Sequence, residues 1–355
     1  MACASYPPSR SGYAQVASHL VQGFRDAGHE VTPITEGQGS HRVARAAVLD
    51  SVGRATVKRG ADILQVIGPT PLFTEQVTLA AARRHIPVVY YIHAFAGLGT
   101  YRQGALYRIG DSIYRGTYYR RALGRLRHAT SSTQDFADSF RQFRGPWTII
   151  PNGVSDPCIA TGRLPSLPAE AGPHPELRVL FVGQLRPYKA VDHLIRGVAE
   201  ALRGGKNLRL TVVGDGPVRS DLEHLVDELG IRPAVVFKGP LSDEALHAEY
   251  LSNDLLALPS VEGESFGIVL LEARLHGLEL LASDLPGVRE VVHQVGGALV
   301  PPGDPHAIAA ALQKAGPLEP SRRVFNSEVA ERYSWKSVAS AYLELYRKVL
   351  AGPLH

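Results

Sequence analysis

The chain has 355 residues, 45% hydrophobic and 20% charged, with no low-complexity tract, which suits two globular domains of ordinary size, each able to bury its own core. No apolar run approaches the roughly 20 residues needed to span a bilayer, and the opening Met1-Ala2-Cys3-Ala4-Ser5-Tyr6-Pro7-Pro8 lacks the basic region and long apolar core of a signal peptide, so a cytoplasmic location is expected. Cys3 and Cys158 have no metal-type spacing and read as free thiols in a reducing compartment, while the net charge of +4 divides into +9 through residue 165 (19 Lys/Arg against 10 Asp/Glu) and −5 beyond it (19 against 24).

In chain order, residues 2–5 read as a short strand ending in the turn-forming loop Tyr6-Pro7-Pro8-Ser9-Arg10-Ser11-Gly12. Val16, Leu20, Phe24 and Ala27 then recur at helical spacing up to Gly28, a natural helix terminator. Gly12 precedes that helix, where its amide either approaches a phosphate or acceptor or simply makes a turn. His29 to Thr35, Ala61 to Ile67 and Pro87 to His93 read as further strands between helical stretches, the last nearly all apolar and so central in a parallel sheet. His93 stands at the carboxyl end of that strand, before Ala94-Phe95-Ala96-Gly97-Leu98-Gly99, and open α/β sheets bind ligands at that end. A structural histidine bonded to a loop carbonyl would look the same. Between residues 101 and 128, Arg102, Arg108, Arg115, Arg120, Arg121, Arg125 and Arg127 are opposed by Asp111 alone, with Tyr101, Tyr107, Tyr114, Tyr118 and Tyr119 interleaved. This segment reads either as a solvated basic face or as a contact for anionic lipid or an anionic acceptor; nucleic acid is not expected.

His128 to Thr133 and Trp147 to Ile150 complete the first domain and lead into Pro151-Asn152-Gly153-Val154. Five prolines between Asp156 and Glu176 mark a linker. The second domain opens with strand Arg178 to Val182, the loop Gly183-Gln184-Leu185-Arg186-Pro187-Tyr188-Lys189-Ala190 and a helix from about Val191. Lys189 can place a point charge on a phosphate there, and Arg186 offers a bidentate fork. Strand Leu208 to Val213 runs into Gly214-Asp215-Gly216-Pro217, with Pro217 suited to the first helical position. A lone Gly-x-Gly is more often tight strand–helix packing than a nucleotide site. Strand Ala234 to Phe237 ends at Lys238-Gly239-Pro240, and strand Asp254 to Pro259 precedes the most distinctive stretch of the chain, Val261 to Ala273. Strand Leu278 to Ala282, the run Ser283 to Glu290, a helix capped by Asp304 and an amphipathic terminal helix carrying Val338, Tyr342, Leu345, Tyr346 and Val349 follow.

Val261 to Ala273 passes from a Glu/Gly-rich loop straight into an apolar helix start. The first amides of such a helix, here those of Phe266, Gly267 and Ile268, have no intrahelical acceptor and favour an anion, and Gly267 allows close backbone approach. Glu264 and Glu272 flank the site. They serve either as a helix-terminal charge and a solvated residue, or as acceptors for the hydroxyls of a sugar and a ribose.

The spacing Glu264-x7-Glu272, within Glu-Ser-Phe-Gly-Ile-Val-Leu-Leu-Glu-Ala, closely resembles the donor-site motif of the family-4 retaining glycosyltransferases of the GT-B fold, and Ile150-Pro151-Asn152-Gly153-Val154 and Ser283 to Glu290 resemble the same family. The resemblance implies an α/β protein of two Rossmann-like domains whose parallel sheets face each other across a donor-binding cleft. One domain would be 1–165, completed by a crossing helix at 335–355, and the other 166–334. It implies that Glu264 contacts the donor sugar, Glu272 the ribose, and the amides of Phe266, Gly267 and Ile268 the diphosphate. Gly239 would meet the base, His93 the sugar, and Lys189 and Arg186 would neutralise the leaving group. Departures are Ser11 for the first of paired glycines, Gln184 where many members have Arg, Ala190 where Gly follows the Lys, Glu279 where Pro is usual, and Arg274.

No Asp-x-Asp pair or His/Cys ligand cluster occurs in the sequence, so no metal and no cofactor is expected. The resemblance then implies a retaining, metal-independent transfer from a UDP- or GDP-type sugar to an acceptor hydroxyl. The basic segment points to a glycan or lipid-linked acceptor and to peripheral attachment at the inner face of a membrane. The alternatives are transfer to a small natural product, a GT-B epimerase or phosphorylase, and a non-catalytic nucleotide-sugar-binding partner subunit.

Overall fold

A computed structural model of the chain describes residues 1–3, 12–34, 60–68, 73–93, 112, 114–155, 175–318 and 326–352. They fall into two units, Met1–Gly153 with Trp335–His355, and Val154–Ser334. The loop 6–11, residues 35–59, the loop after His93, most of 101–113 and the linker 156–174 lie outside the described residues.

In the first unit β1 (Ala2–Cys3), β2 (Leu64–Gly68), β3 (Val88–Ile92), β4 (His128–Ser131) and β5 (Trp147–Ile149) pair in that order, all parallel. Every residue of β2 and β3 is buried, as the unbroken apolar run of β3 requires of a strand covered on both faces. Helix α1 (Gly12–Asp26) turns Val16, Ala17, Leu20 and Phe24 onto Ile67, Val89 and Tyr91. The terminal helix, Trp335–Ala351, packs into the same core. Its Tyr342 and Tyr346 meet Phe24 edge-on at 6.4 and 5.5 Å, the Tyr346 hydroxyl donates to Gln65 Oε1 at 2.8 Å, and that of Tyr342 pairs with Thr130 Oγ1 at 3.2 Å. On the other face lie α2 (Phe73–Ala82), α3 (Arg120–Leu123) and α4 (Gln134–Ser139).

Two expectations change here. His29 to Thr35 forms no strand over its described part; Ile34 N donates to Met1 O at 2.7 Å and the Met1 ammonium to Thr32 O at 2.9 Å, while Pro33 cannot donate to a ladder. In the Arg/Tyr segment, Tyr114 and Tyr119 are 6% and 1% exposed and stack at 6.0 Å within the core rather than lining a surface. Arg120, Arg121 and Arg125 are exposed.

The second unit is a parallel sheet in the order β11-β10-β9-β6-β7-β8, made of β6 (Leu177–Val182), β7 (Leu208–Val213), β8 (Val235–Gly239), β9 (Leu255–Leu258), β10 (Glu279–Ser283) and β11 (Ala298–Val300). Its helices are α5 (Val191–Arg203), α6 (Arg219–Glu228), α7 (Asp243–Ser252), α8 (Ile268–Leu275), α9 (Val288–Val295), α10 (Pro305–Lys314) and α11 (Ser327–Arg332). Asp304 caps α10 by accepting from Ala307 N at 3.0 Å. The chain builds outward from β6 through β7 to β8, then returns and builds the other way through β9, β10 and β11. The order reverses between β6 and β9, and in open α/β sheets the loops that follow strands at such a reversal are where ligands bind.

The β6 loop lies directly on the β7 loop: Gly183 N donates to Val213 O at 3.0 Å and Leu185 N to Asp215 O at 2.9 Å. A Cβ at Gly214 would sit 2.0 Å from Gly183 O, and one at Gly216 2.2 Å from Leu185 O. The Gly-x-Gly pair therefore serves contact between two loops rather than strand–helix packing. Pro217 does not open the helix; it lies in a turn ahead of α6, which starts at Arg219.

Gly216→Ala should destabilise the fold by about 1–3 kcal/mol, because the new methyl meets a backbone carbonyl that cannot move without shifting the β6 loop. Gly116→Ala, at an exposed helical position where a Cβ would meet nothing within 4 Å, should match wild type or exceed it by up to about 1 kcal/mol. Urea denaturation of both variants checks the difference, since both carry the same change in unfolded-chain entropy.

Candidate functional site

The β6 loop leaves the sheet at Gly183 and is anchored by Leu185, which is fully buried. Arg186 is extended (φ −116°, ψ 152°), Pro187–Lys189 make one 3-10 turn, and Ala190 enters α5 in the left-handed region at φ 49°, ψ 41°, with its methyl buried. A non-glycine residue held there stores on the order of 1–2 kcal/mol of strain, which the surrounding packing must offset. Arg186 is exposed, and its Nε donates to Gln184 Oε1 at 3.3 Å.

The β9 loop starts at the buried Ser260 and is joined to the β6 loop by a bond from Val261 N to Tyr188 O at 2.9 Å. Gly263 lies against the Tyr188 ring. Phe266 is 2% exposed and meets Tyr333 at 6.0 Å, so its side chain is core and only its backbone can face a ligand. Gly267 is the N-cap of α8 with φ 78°, ψ 64°, and the helix itself begins at Ile268, two residues later than the sequence suggests. The left-handed turn at Gly267 explains the delay: it sharply changes chain direction at a point where a Cβ would press on Leu258 and Leu270. The first-turn amides of α8 carry the positive end of the helix dipole.

Lys189 and Glu264 meet across the two loops. Lys189 Nζ is in hydrogen-bonded ion-pair contact with Glu264 Oε2, each side chain 15% exposed. Ser260 Oγ donates to the same oxygen at 3.3 Å, and the Lys189 ammonium sits 5.7 Å from the Tyr188 ring centroid. Burial alone would lower the Lys189 pKa, but the charge of Glu264 and its hydrogen bond outweigh burial and hold it above its ordinary value. The sequence suggested separate duties for these two side chains; in the structure they neutralise each other.

Glu272 lies one turn after Ile268, on the same side of α8. It is half-buried and accepts a 2.6 Å hydrogen bond from the Tyr250 hydroxyl, so it is not a solvated helix residue. Gly239 closes β8 at φ 70°, and its carbonyl accepts Gly214 N at 2.9 Å. Lys189, Arg186, Glu264, Phe266, Gly267, Ile268, Glu272 and Gly239 thus all belong to the second unit. Gly12 and His93 belong to the first, Gly12 as the opening residue of α1 and His93 just past β3, its amide donating to Gly68 O at 3.3 Å. Tyr188, Ser260 and Tyr250 were not singled out from the sequence. Nothing in their spacing marks them, because their partners are reached through space.

Among the described residues no group of three or more His, Cys, Asp or Glu is arranged to hold a metal ion, and no helix is long and apolar enough to cross a membrane.

Residues 168–332 match the family model described as "Glycosyl transferases group 1", and residues 10–156 that described as "Glycosyltransferase Family 4". A D-inositol 3-phosphate glycosyltransferase of Saccharomonospora viridis is 36% identical over 186 residues, 48% of this chain and 43% of that protein. A phosphatidyl-myo-inositol mannosyltransferase of Mycobacterium leprae is 34% identical over 208 residues, 56% of this chain and 53% of that one. The chain spans about half the length of the curated relatives it matches. The Anabaena protein HepE, solved in complex with UDP and glucose, superposes with a TM-score of 0.72 at 18% identity, covering 98% of this chain and 99% of its own; at that identity the likeness is one of fold. The two matched segments together take in most of the chain, which belongs to the family-4 glycosyltransferases of the GT-B fold.

Proposed function

We propose that the chain transfers a sugar, with retention of configuration and without a metal ion, from a UDP- or GDP-type donor to an acceptor hydroxyl. The observation that carries this reading is the Lys189–Glu264 pair at the point where the strand order reverses, beside the Gly267-capped start of α8. In the proposed site the diphosphate occupies the α8 N-terminus and takes over Lys189, with Arg186 at the rim. Glu264, released from its partner, turns its acceptor oxygens to the sugar hydroxyls. Glu272 holds the ribose and Gly239 offers backbone to the base. The bond from the anomeric carbon to phosphate breaks first or nearly so, the leaving charge is met by Lys189 and the helix-terminal amides, and the acceptor hydroxyl enters on the same face as its proton passes to the departing phosphate oxygen.

His93 suits a part that needs a neutral ring. Burial pushes its pKa down to about 3, only partly offset by a hydrogen bond to the Tyr91 backbone. It therefore stays uncharged near neutral pH and orients a sugar hydroxyl by hydrogen bonding rather than by charge. The acceptor is proposed to be a polyol, glycan or lipid-linked hydroxyl at an anionic surface. This rests on the relatives named for inositol 3-phosphate and phosphatidyl-myo-inositol and on exposed Arg120, Arg121 and Arg125.

The test of this function is release of nucleotide diphosphate from a panel of UDP-, GDP-, ADP- and TDP-sugars, with chelator present, and with and without anionic vesicles. One donor should turn over with chelator present, and Lys189→Met should lower kcat by about 100- to 1,000-fold, the range seen when one preorganised charge-stabilising group is removed. Binding of a nucleotide diphosphate with no turnover under any condition would favour the binding-subunit reading. Turnover abolished by chelator would sink the metal-independent one.

Two stability measurements follow from the same groups. Glu264→Gln leaves a mostly buried ammonium without its counter-charge and should cost about 3 kcal/mol. Lys189→Met added to it should restore at least half of that, read as a coupling in urea denaturation. For His93 the folded pKa lies below the unfolded value, so folding is unaffected well above pH 6.5 and loses stability as pH falls below it. Between pH 7.5 and 5.5 wild type should lose about 1.4 kcal/mol more than His93→Asn. Equal losses would show that His93 is not held neutral.

A further inference from the structure

Glu272 is gripped by residues outside the loop–helix junction. Tyr250, in the last turn of α7, is 1% exposed, and its hydroxyl donates to Glu272 Oε2 at 2.6 Å. The Tyr250 ring stacks on His276, with centroids 5.0 Å apart and planes 23° apart. His276 is fully buried, and its Nδ1 donates to the backbone carbonyl of Glu272 at 2.8 Å. A carbonyl only accepts, so His276 carries a proton on Nδ1, and in the neutral ring its Nε2 accepts from Nδ1 of His247 at 2.9 Å. Carboxylate and carbonyl of one residue are thus held by two rings that stack on each other.

Packing alone does not call for this arrangement. A phenylalanine at 250 would stack on His276 equally well, whereas the hydroxyl of a buried tyrosine demands a partner. Its partner is the carboxylate that the proposed function assigns to ribose. A glutamate one turn into a helix otherwise samples several rotamers, and freezing them on binding weakens affinity. The bond from Tyr250 takes one of about four lone-pair sites on the carboxylate and fixes the direction of Oε2.

We propose that Tyr250 is a positioning residue that presets the Glu272 carboxylate for the two hydroxyls of the donor ribose. This rests on the reading of the second unit as a nucleotide-sugar site. It is tested by calorimetric titration of the full chain with UDP, GDP, 2′-deoxy-UDP and 2′-deoxy-GDP, using wild type, Tyr250→Phe, Glu272→Ala and the double variant.

Wild type should bind the ribose form of one nucleotide about 10-fold more tightly than its 2′-deoxy form, the scale of one charge-assisted hydrogen bond. Glu272→Ala should abolish that preference. Tyr250→Phe, which keeps the ring and its stacking, should reduce it to about 3-fold or less, and should change affinity by less than about 2-fold when added to Glu272→Ala. A preference unchanged in Tyr250→Phe overturns the proposal alone, even where melting temperature falls, since loss of stability by itself marks a structural role. Wild type that binds no nucleotide, or binds ribose and deoxyribose forms equally, overturns the assignment of Glu272 and the proposal with it.

Discussion

The second unit depends on how a buried ammonium is neutralised. Lys189 and Glu264 are each mostly removed from water, and either charge alone would be expensive to keep there. Their pairing makes one object of two loops that follow different strands and meet at the reversal in strand order. The rest of the junction fits around the pair. Val261 N bonds to Tyr188 O, the Tyr188 ring lies on Gly263, Ser260 supports the Glu264 oxygen, and Gly267 turns the chain into α8 immediately beyond.

The Lys189–Glu264 pair rests neutral. The cation that the proposed reaction needs for a leaving diphosphate is held by a carboxylate until phosphate oxygens replace it, so neither charge of the pair is buried alone. That exchange also links the two halves of a donor. In the proposed site the group that takes Lys189 is the phosphate, and the group released, Glu264, is the sugar contact. Ala190 adds stiffness: with a methyl in the left-handed region the turn has one narrow well where glycine would have several, so less loop ordering is left to be done on binding.

Much of the fold could be read from the sequence because parallel strands buried on both faces announce themselves as apolar runs. Val88–Ile92, Leu208–Val213 and Leu255–Leu258 fall within a residue or so of their expected ends. His29 to Thr35 misled because it alternates like a strand but contains Pro33, and its exposed Glu30 and Thr32 suit no sheet interior. The start of α8 and the place of Pro217 were missed because cap geometry depends on the backbone angles of single residues, Gly267 above all. At the candidate site the residue types and their loops were legible, but their pairings were not. Lys189 and Glu264 are 75 positions apart, and Tyr250 and Glu272 are 22 apart with a whole strand between. Hydrophobic periodicity reports which way a side chain faces and carries no information about which polar group it meets. The same limit applies to Tyr114 and Tyr119, whose alternation with arginines resembled a surface pattern although both rings are core.

The terminal helix bears on the order in which the molecule assembles. Its Val338, Tyr342, Leu345 and Tyr346 cover the same core as Val16, Leu20 and Phe24 of α1, and the whole of the second unit lies between them in sequence. On a ribosome, the second unit emerges as one uninterrupted segment that can close on itself. The first must wait with the core that α1 shares with β2 and β3 only partly covered until residues 335–351 appear. Closing a core over more than 300 residues of intervening chain is slow. The segment made first is therefore finished last, and during synthesis it is the part most in need of a chaperone.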